Sequence, residues 1–315
     1  MDETRPSEGA SVGGADGAVS RAGEKSKAAP PPFEIVRPAR RTSAVVYASP
    51  HSGDYYPAEF IARSRLDPES LRKSEDSFVD ALFQAAPEHG SPLLRARYAR
   101  VYVDVNREPY ELDPGMFDAP LPAHSNTTSL RVAGGLGTIA RVVADGAEVY
   151  ADKLPLAEAE ARLGRVYHPY HAALAALLSE TRTSFGHAVL IDCHSMPSVG
   201  GGIEGVGGRG RPDIVLGDRF ATAAAPALVD FVEAVLGGLG YAVGRNTPYA
   251  GGFTTHHYGR PATGLHALQI EINRGLYMDE ARYRRGPGFA SLAADLTTLI
   301  GRLSDLDPIP AMAAE

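Results

Sequence analysis

Residues 188–195 read Ala-Val-Leu-Ile-Asp-Cys-His-Ser, an apolar run that passes directly into polar residues. The run is apolar on both faces, as is typical of a central strand in a sheet that is covered on both sides. In open α/β sheets, ligand sites form in the loops beyond the carboxyl ends of the strands. The stretch therefore predicts a buried strand whose end, with Asp192 and His194, lies at a functional site.

Similar apolar runs alternate along the chain with segments of helical periodicity. Apolar residues recur at helical spacing over residues 78–85, 156–174, 220–236 and 289–303, and Pro169 is expected to kink or split the second segment. Strands that alternate with helices predict an α/β fold with a mixed, largely parallel sheet flanked by helices on both faces. The predicted strands are residues 44–48, 93–105, 188–193, 213–216, 241–244 and 265–272.

Composition sets the domain plan and excludes some partners. Residues 1–31 are rich in Gly, Ala, Ser, Pro and charge, which predicts a disordered tail before a single domain over residues 32–310. The 31 basic and 38 acidic residues form no long block of one sign, so we expect no nucleic-acid partner. No apolar run approaches the ~18 residues of a membrane span, so we expect no membrane partner. Cys193 is the only cysteine, which fits a cytoplasmic location.

Two histidines follow apolar runs in the way that metal ligands do. His51 lies just after the run at residues 44–48, and His194 ends the run quoted above. Either histidine alone is more often a hydrogen-bonded turn residue, but the pair suits a catalytic zinc site, which commonly has two histidines and a carboxylate. Asp54 and Asp76 are both candidates for the third ligand, although an acid at the position of Asp76 often only stabilises a helix N-terminus.

Three further charged residues are candidates for chemistry. Glu271 interrupts a buried strand, where a carboxylate is either paired, for example with Arg274, or serves as the general base for a metal-activated water. Arg107 ends the run at residues 101–107, where its guanidinium is either an ordinary surface group or a fork for a substrate carboxylate, and Arg274 offers a second fork. The segment Gly205 to Gly210 fits a dinucleotide-binding pattern but precedes a strand, so we interpret it as a loop beside the pocket.

Five motifs in fixed order resemble those of the N-formylglutamate amidohydrolase family. They extend over residues 49–278 and are more specific together than any one alone. The motifs are Ser49-Pro50-His51-Ser52-Gly53, Ser74-Glu75-Asp76, Val103-Asp104-Val105-Asn106-Arg107, Asp192-Cys193-His194-Ser195, and a long block from Asn246-Thr247-Pro248-Tyr249 through Tyr258-Gly259-Arg260-Pro261 to Gln269-Ile270-Glu271.

The resemblance implies a fold like that of the zinc carboxypeptidases (phosphorylase/hydrolase-like) and an activity. It implies hydrolysis of N-formyl-L-glutamate to formate and L-glutamate in histidine degradation, with Zn2+ or another divalent transition metal as cofactor. The metal ligands it implies are His51, Asp76 (which it ranks above Asp54) and His194. It implies Glu271 and Arg107 as catalytic residues, and Asp192 is expected to orient a ligand. The predicted substrate-binding residues are Asn106, Arg107, Arg274, Tyr249, Thr254 and Tyr258.

Two alternatives to this function stay open at the level of sequence. The same mechanism fits another N-acyl amino acid or a small peptide, and the discriminating feature is the pocket volume around the acyl group. A catalytically silent small-molecule binding protein is also compatible with the fold, but it predicts the loss of a ligand or of Glu271, and both histidines and Glu271 are present.

Overall fold

A computed structural model describes residues 29–199 and 211–306 of the chain. Most of the predicted tail and the loop Gly205 to Gly210 therefore lie outside the described residues, and the predicted domain boundaries stay a prediction. The strands of the main sheet are β1 (Phe33–Val36), β2 (Val45–Ser49), β3 (Leu93–Ala96), β4 (Ala188–Met196), β5 (Ile214–Gly217), β6 (Val243–Arg245) and β7 (Leu265–Asn273), and a small hairpin pairs β8 (Met278–Asp279) with β9 (Arg284–Arg285).

The sheet has the mixed, largely parallel topology that the sequence predicted. Its order is β1-β3-β2-β4-β7-β5-β6. The β2, β3, β4 and β7 neighbours pair in parallel, as do β5 and β6, whereas β1 with β3 and β5 with β7 pair antiparallel. The carboxyl ends of β2, β4 and β7 therefore meet at one edge of the sheet, where the polar motifs follow.

Helices cover both faces of this sheet because the strand side chains alternate between two apolar cores. In β4, Leu190 packs on one face, whereas Val189, Ile191 and Cys193 pack on the other. The first core lies against α5 (Leu156–Arg162) and α6 (His168–Phe185), and the second against α7 (Pro226–Gly238) and α9 (Phe289–Ser304). The shorter helices are α1 (Ala58–Arg63), α2 (Pro68–Leu71), α3 (Val79–Leu82), α4 (Leu130–Ala133) and α8 (Phe253–Tyr258).

The interruption that Pro169 predicted in the long helix is present as a π-helical turn. Residues Leu163–Tyr167 form this turn between α5 and α6, and Pro169 then lies in the first turn of α6. A proline there is tolerated because a widened turn removes the need for its missing N–H. Gly186, with φ of +79°, ends α6 in the left-handed conformation that glycine adopts without a steric cost.

One predicted strand was wrong in most of its length. The strand predicted over residues 93–105 ends at Ala96, and residues 101–107 form a buried irregular segment. Its apolar side chains, including Val101 and Val105, pack in the first core and so produce a strand-like pattern. Its backbone groups, however, bond to local turns and to other segments, such as Asp104 N–H to the Thr138 carbonyl at 2.8 Å. No helix in the described part of the chain is long and apolar enough to cross a membrane.

The close approach of Gly53 to Tyr98 gives a test of the backbone that follows His51. A Cβ at Gly53 would lie 2.2 Å from the Tyr98 carbonyl oxygen, whereas a Cβ at Gly164 in the π-helical turn would meet nothing within 4 Å. We expect Gly53→Ala to lower the free energy of unfolding by about 1–3 kcal/mol. Gly164→Ala should raise it by roughly 0.5–1 kcal/mol, because alanine favours helix. Urea denaturation of both variants checks this, and equal stabilities would contradict it.

Candidate active site

The edge of the sheet brings together the three polar motifs that follow apolar runs. His51 lies two residues beyond β2, and His194 lies near the end of β4. His194 and Glu271 are direct partners in the parallel β4–β7 register, so their side chains stand next to each other on one face. The predicted convergence of two histidines and a carboxylate is therefore present in the fold.

His51, Asp76 and His194 form a buried group whose ligand atoms all lie within 4.8 Å of one another. Asp76 Oδ2 lies 3.0 Å from His194 Nδ1 and 3.3 Å from His51 Nδ1. The backbone helps to fix this arrangement, because the Asp76 N–H donates to the His51 carbonyl at 3.0 Å. Asp54, the other candidate for the third ligand, is exposed and does not belong to the group.

The far nitrogen of each imidazole is held by a second carboxylate. His51 Nε2 lies 2.7 Å from Asp104 Oδ1, and His194 Nε2 lies 3.0 Å from Asp192 Oδ1. Since an ionised carboxylate only accepts, each Nε2 carries the proton and donates. Both Nδ1 atoms are thereby directed towards Asp76, in the carboxylate–histidine arrangement that commonly orients metal ligands. The contact that the sequence predicted for Asp192 is thus present.

The donor set fits a cation. His51 Nδ1 is a buried polar atom without a hydrogen-bond partner among the described residues, although it lies 3.3 Å from Asp76 Oδ2. Burial opposes a charged imidazole at His194, but Asp192 and Asp76 outweigh it and raise the pKa of His194 well above its usual range. Burial also opposes ionisation of Asp76, yet the two histidines hold its pKa well below its usual range. The site therefore favours positive charge between these groups, which a divalent ion supplies.

Arg274 contacts the metal-ligand group through Asp76. Its Nη2 donates to Asp76 Oδ1 at 3.0 Å, and its Nε donates to Ser195 Oγ at 3.1 Å. Asp76 therefore has one oxygen held by Arg274 and the other directed towards the histidines. The guanidinium that the sequence predicted as a substrate fork is in large part used to orient this ligand.

Glu271 combines burial with an unusual acidity. Burial raises the pKa of Glu271 to about 7, the charge of Asp76 raises it, and His194 partly offsets this. Gln269 Nε2 donates to Glu271 Oε1 at 2.8 Å, and Gln269 Oε1 accepts from the Gly252 N–H at 2.7 Å. Gln269 thus orients the carboxylate and ties it to the chain that precedes α8. A carboxylate with a pKa near neutrality is suited to accept and return a proton.

Asn106 and Arg107 lie beside the group on the irregular segment. Asn106 Oδ1 accepts from the Thr254 N–H at 2.8 Å, and its Nδ2 lies 3.1 Å from His194 Nε2, a contact between two donors that is not a hydrogen bond while Nε2 donates to Asp192. Arg107 donates from Nε to the Leu136 carbonyl at 2.8 Å and from Nη1 to the Asn106 carbonyl at 2.7 Å. Burial lowers the pKa of Arg107 to about 10, so it remains a cation at neutral pH.

A cavity of about 980 Å³ opens onto these residues. Thr254 and Tyr258 are not part of its lining: Thr254 is fully buried, and the Tyr258 hydroxyl bonds to His171 at 2.9 Å. The backbone N–H of Thr254 donates to Asn106 and the Tyr258 hydroxyl bonds to His171, so the role of these two residues in substrate binding stays a prediction. The predicted site residues that do line the cavity are His51, Asp76, Asn106, Arg107, His194, Tyr249, Glu271 and Arg274.

Three residues of the site were missed by the reasoning from sequence. Asp104 orients His51, Gln269 orients Glu271, and Arg100 lines the cavity while donating to Asp104 Oδ2 at 2.7 Å. A signal existed for Asp104 and Gln269, because each is a polar residue within an apolar run inside a family motif. Arg100 carried no such signal, since it precedes its run like an ordinary flanking charge.

Known proteins of similar sequence agree with this geometry. The sequence profile of the N-formylglutamate amidohydrolase family matches residues 43–278, which include every residue of the site described above. The chain belongs to the N-formylglutamate amidohydrolase family. The chain is also similar to a curated N-formylglutamate deformylase of Pseudomonas aeruginosa, with 33% identity over 208 residues that cover 65% of this chain and 71% of that protein.

Two solved structures are similar to this chain in fold. A crystal structure of an N-formylglutamate amidohydrolase from Ralstonia eutropha is 39% identical, with a TM-score of 0.81, and the match covers 87% of this chain and 97% of that one. A gene product of Agrobacterium tumefaciens has the same fold at 22% identity and a TM-score of 0.57, over 87% and 95% of the two chains. The likeness to zinc carboxypeptidases stays a prediction.

Because the pKa of Glu271 is raised in the folded protein, ionisation of this carboxylate lowers the free energy of unfolding. The folded state holds the proton up to about pH 7, whereas the unfolded chain releases it near 4.5. The loss of folding stability is therefore complete above pH 7, becomes smaller as the pH drops below 7, and vanishes below 4.5. For metal-free protein at pH 8 we expect Glu271→Gln to raise the free energy of unfolding by about 3 kcal/mol.

At pH 5 the same substitution should raise the free energy of unfolding by less than about 1 kcal/mol. Glutamine keeps the oxygen that accepts from Gln269, so the comparison isolates the charge. Urea denaturation in the presence of a chelator, at both pH values, measures the difference. A variant that is less stable than the parent at pH 8 would show that the carboxylate is not under this strain.

Proposed function

We propose that the chain hydrolyses the amide bond of N-formyl-L-glutamate and releases formate and L-glutamate. The observation that carries the proposal is the position of Glu271, next to three convergent buried ligand groups and inside one cavity. The family match and the names of the similar proteins supply the substrate. A cytoplasmic location and a role in histidine degradation stay predictions.

We infer that His51, Asp76 and His194 hold Zn2+ or another divalent transition metal, through Nδ1, Oδ2 and Nδ1 respectively. Three protein ligands of these types are the usual set of a catalytic zinc site, which leaves a position for other ligands. When bound, such an ion acts as a Lewis acid and lowers the pKa of water. Asp104 and Asp192 support the histidines from behind, and Arg274 supports Asp76.

Glu271 is the proposed general base and then the general acid. It accepts a proton from the attacking water, whose oxygen forms a bond to the formyl carbon. It then donates that proton to the leaving nitrogen as the C–N bond breaks, so that formate and the amino group of L-glutamate are released. A pKa near neutrality suits both halves of this transfer.

The cations of the cavity are the proposed recognition groups for the acidic leaving half. Arg107 and Arg131 lie on one wall, linked through Leu136, whose N–H donates to the Arg131 carbonyl at 2.7 Å and whose carbonyl accepts from Arg107 Nε. Arg131 is exposed and is paired with no acid among the described residues. We assign carboxylate binding to these two arginines with Asn106, and contact along the substrate to Tyr249. Arg100, which lines the same cavity, is the proposed group that stabilises negative charge on the carbonyl oxygen.

The proposal predicts metal-dependent release of formate from N-formyl-L-glutamate. Chelation should abolish turnover and zinc should restore it. Glu271→Gln should lower kcat by about 10²- to 10⁴-fold while zinc stoichiometry is kept, because only the proton transfer is removed. His194→Ala should lose both zinc and turnover. Formate assays and metal analysis of the purified variants provide the measurements.

Asp54→Asn is the matched control, because Asp54 lies close to His51 in sequence but is exposed and outside the ligand group. It should retain both zinc and activity. Zinc binding without formate release would contradict the substrate but leave the metal site intact. Absence of zinc binding would contradict the mechanism, and zinc-bound protein that turns over no N-acyl amino acid would support a silent binding protein.

The volume of the cavity favours a second candidate with the same mechanism, an amidohydrolase for another N-acyl amino acid or a small peptide. The whole cavity, at about 980 Å³, is at the upper end of the ~300–1,000 Å³ range of small-molecule pockets, which leaves room for an acyl group larger than formyl. We expect N-formyl-L-glutamate to exceed N-formyl-L-norleucine in kcat/KM by about 10²-fold or more, since the apolar analogue lacks the side-chain carboxylate that the arginines of the cavity are proposed to bind. A higher kcat/KM for N-acetyl- or larger N-acyl-L-glutamates than for the formyl compound would favour the second candidate.

A further inference from the structure

The buried backbone of residues 101–107 needs hydrogen-bond partners that a sheet would otherwise provide. It carries Asn106 and Arg107 and is buried, yet it is not part of the sheet. Buried carbonyls outside a strand ladder require other donors, because an unpaired one is costly. Three of its carbonyls receive side-chain donors from one long helical element, α5 through α6. These pairs are Arg162 Nη1 with Tyr102 O at 3.0 Å, His171 Nε2 with Val105 O at 2.8 Å, and Tyr167 Oη with Arg107 O at 2.7 Å.

Tyr167 and His171 are matched to the segment by their spacing. They are four residues apart, and so lie on one face of a helix, while their acceptors Val105 and Arg107 are two residues apart and flank Asn106. Tyr167 is the last residue of the π-helical turn, and π-helical turns are frequent at functional sites. The two donors, which we call the carbonyl clamp, therefore hold the residues on both sides of the Asn106 side chain.

His171 is itself fixed in the orientation that donates. Burial lowers the pKa of His171 to about 4, so the ring is neutral near pH 7. Its Nε2 donates to the Val105 carbonyl, and its Nδ1 accepts from the Tyr258 hydroxyl at 2.9 Å. The ring stacks on Tyr258 and packs against Tyr167 with centroids 4.4 Å apart. His171 therefore connects α6, α8 and the segment of residues 101–107.

We propose that Tyr167 and His171 are positioning residues that hold Asn106 and Arg107 against the cavity and thereby set the affinity for the leaving half of the substrate. The proposal rests on the proposed function for the identity of that substrate. Neither residue lines the cavity, so they act on substrate only through the segment that they hold.

Tyr167→Phe deletes one donor and keeps the ring. Tyr170→Phe is the matched control, because Tyr170 lies on the same helical element and its buried hydroxyl has no hydrogen-bond partner among the described residues. His171→Leu removes the second donor, and His171→Gln keeps an N–H near the same place. Zinc-loaded protein is measured for KM, kcat, zinc stoichiometry and hydrogen–deuterium exchange of residues 101–110.

Tyr167→Phe and His171→Leu should raise KM for N-formyl-L-glutamate by about 2- to 10-fold, the effect of one hydrogen bond, with kcat within about twofold and zinc unchanged. Exchange in residues 101–110 should accelerate in these variants and not in Tyr170→Phe, and His171→Gln should recover towards the parent. If Tyr167→Phe matches Tyr170→Phe in both KM and exchange, or if zinc is lost while KM is constant, the clamp does not position the segment for substrate.

If the parent enzyme does not cleave N-formyl-L-glutamate, the proposed function fails. The exchange measurement alone then tests whether the carbonyl clamp holds the segment. Faster exchange of residues 101–110 in Tyr167→Phe and His171→Leu, but not in Tyr170→Phe, then supports it, and unchanged exchange overturns it. The two proposals therefore fail in different measurements.

Discussion

The buried carboxylate of Asp76 is the interaction on which the rest of the site depends. Two imidazole nitrogens approach one of its oxygens, and Arg274 holds the other. Such a group is costly to bury unless positive charge compensates it. The surrounding carboxylates Asp104 and Asp192 make the cost larger, because they add negative charge around the histidines that they orient. A divalent cation would offset this negative charge at the point where the carboxylate and the two imidazoles meet.

The sheet register converts this cluster into a site for catalysis. Because β4 and β7 are parallel neighbours, His194 lies beside Glu271, and Asp192 lies beside Gln269 on the same face. The first pair holds the proposed metal ligand and the proposed base, and the second pair, Asp192 and Gln269, bonds to their side chains. A shift of β7 by one residue against β4 would turn Gln269 and Glu271 to the opposite, apolar face, away from Asp192 and His194. The apolar packing of Val189, Ile191 and Cys193 in the second core thus also fixes the geometry of the polar face.

The sequence was sufficient to predict those parts of the molecule in which pattern and fold agree. The mixed sheet, the strands β2, β4, β5 and β7, and the meeting of His51, His194 and Glu271 follow from apolar runs that end in polar motifs, whereas the choice of Asp76 over Asp54 followed from the family resemblance. Residues 101–107 could not be predicted in this way, since hydrophobic periodicity reports burial and not the partners of the backbone. For a related reason the pattern could not show that Thr254 contributes a backbone N–H to Asn106 and that Tyr258 contributes a hydroxyl to His171.

The irregular conformation of residues 101–107 has a functional consequence that a strand could not provide. In a strand, Asp104 and Asn106 would point to one face and Arg107 to the other. In the fold, Asp104 Oδ1 accepts from the Asn106 N–H at 2.8 Å, a local turn that bends the backbone, and all three side chains line the cavity. Because the carbonyls of this segment do not bond to a neighbouring strand, they can accept from the side chains of α5 through α6. The helical element therefore substitutes for a neighbouring strand, and it allows one short segment to orient His51 and carry two proposed substrate contacts.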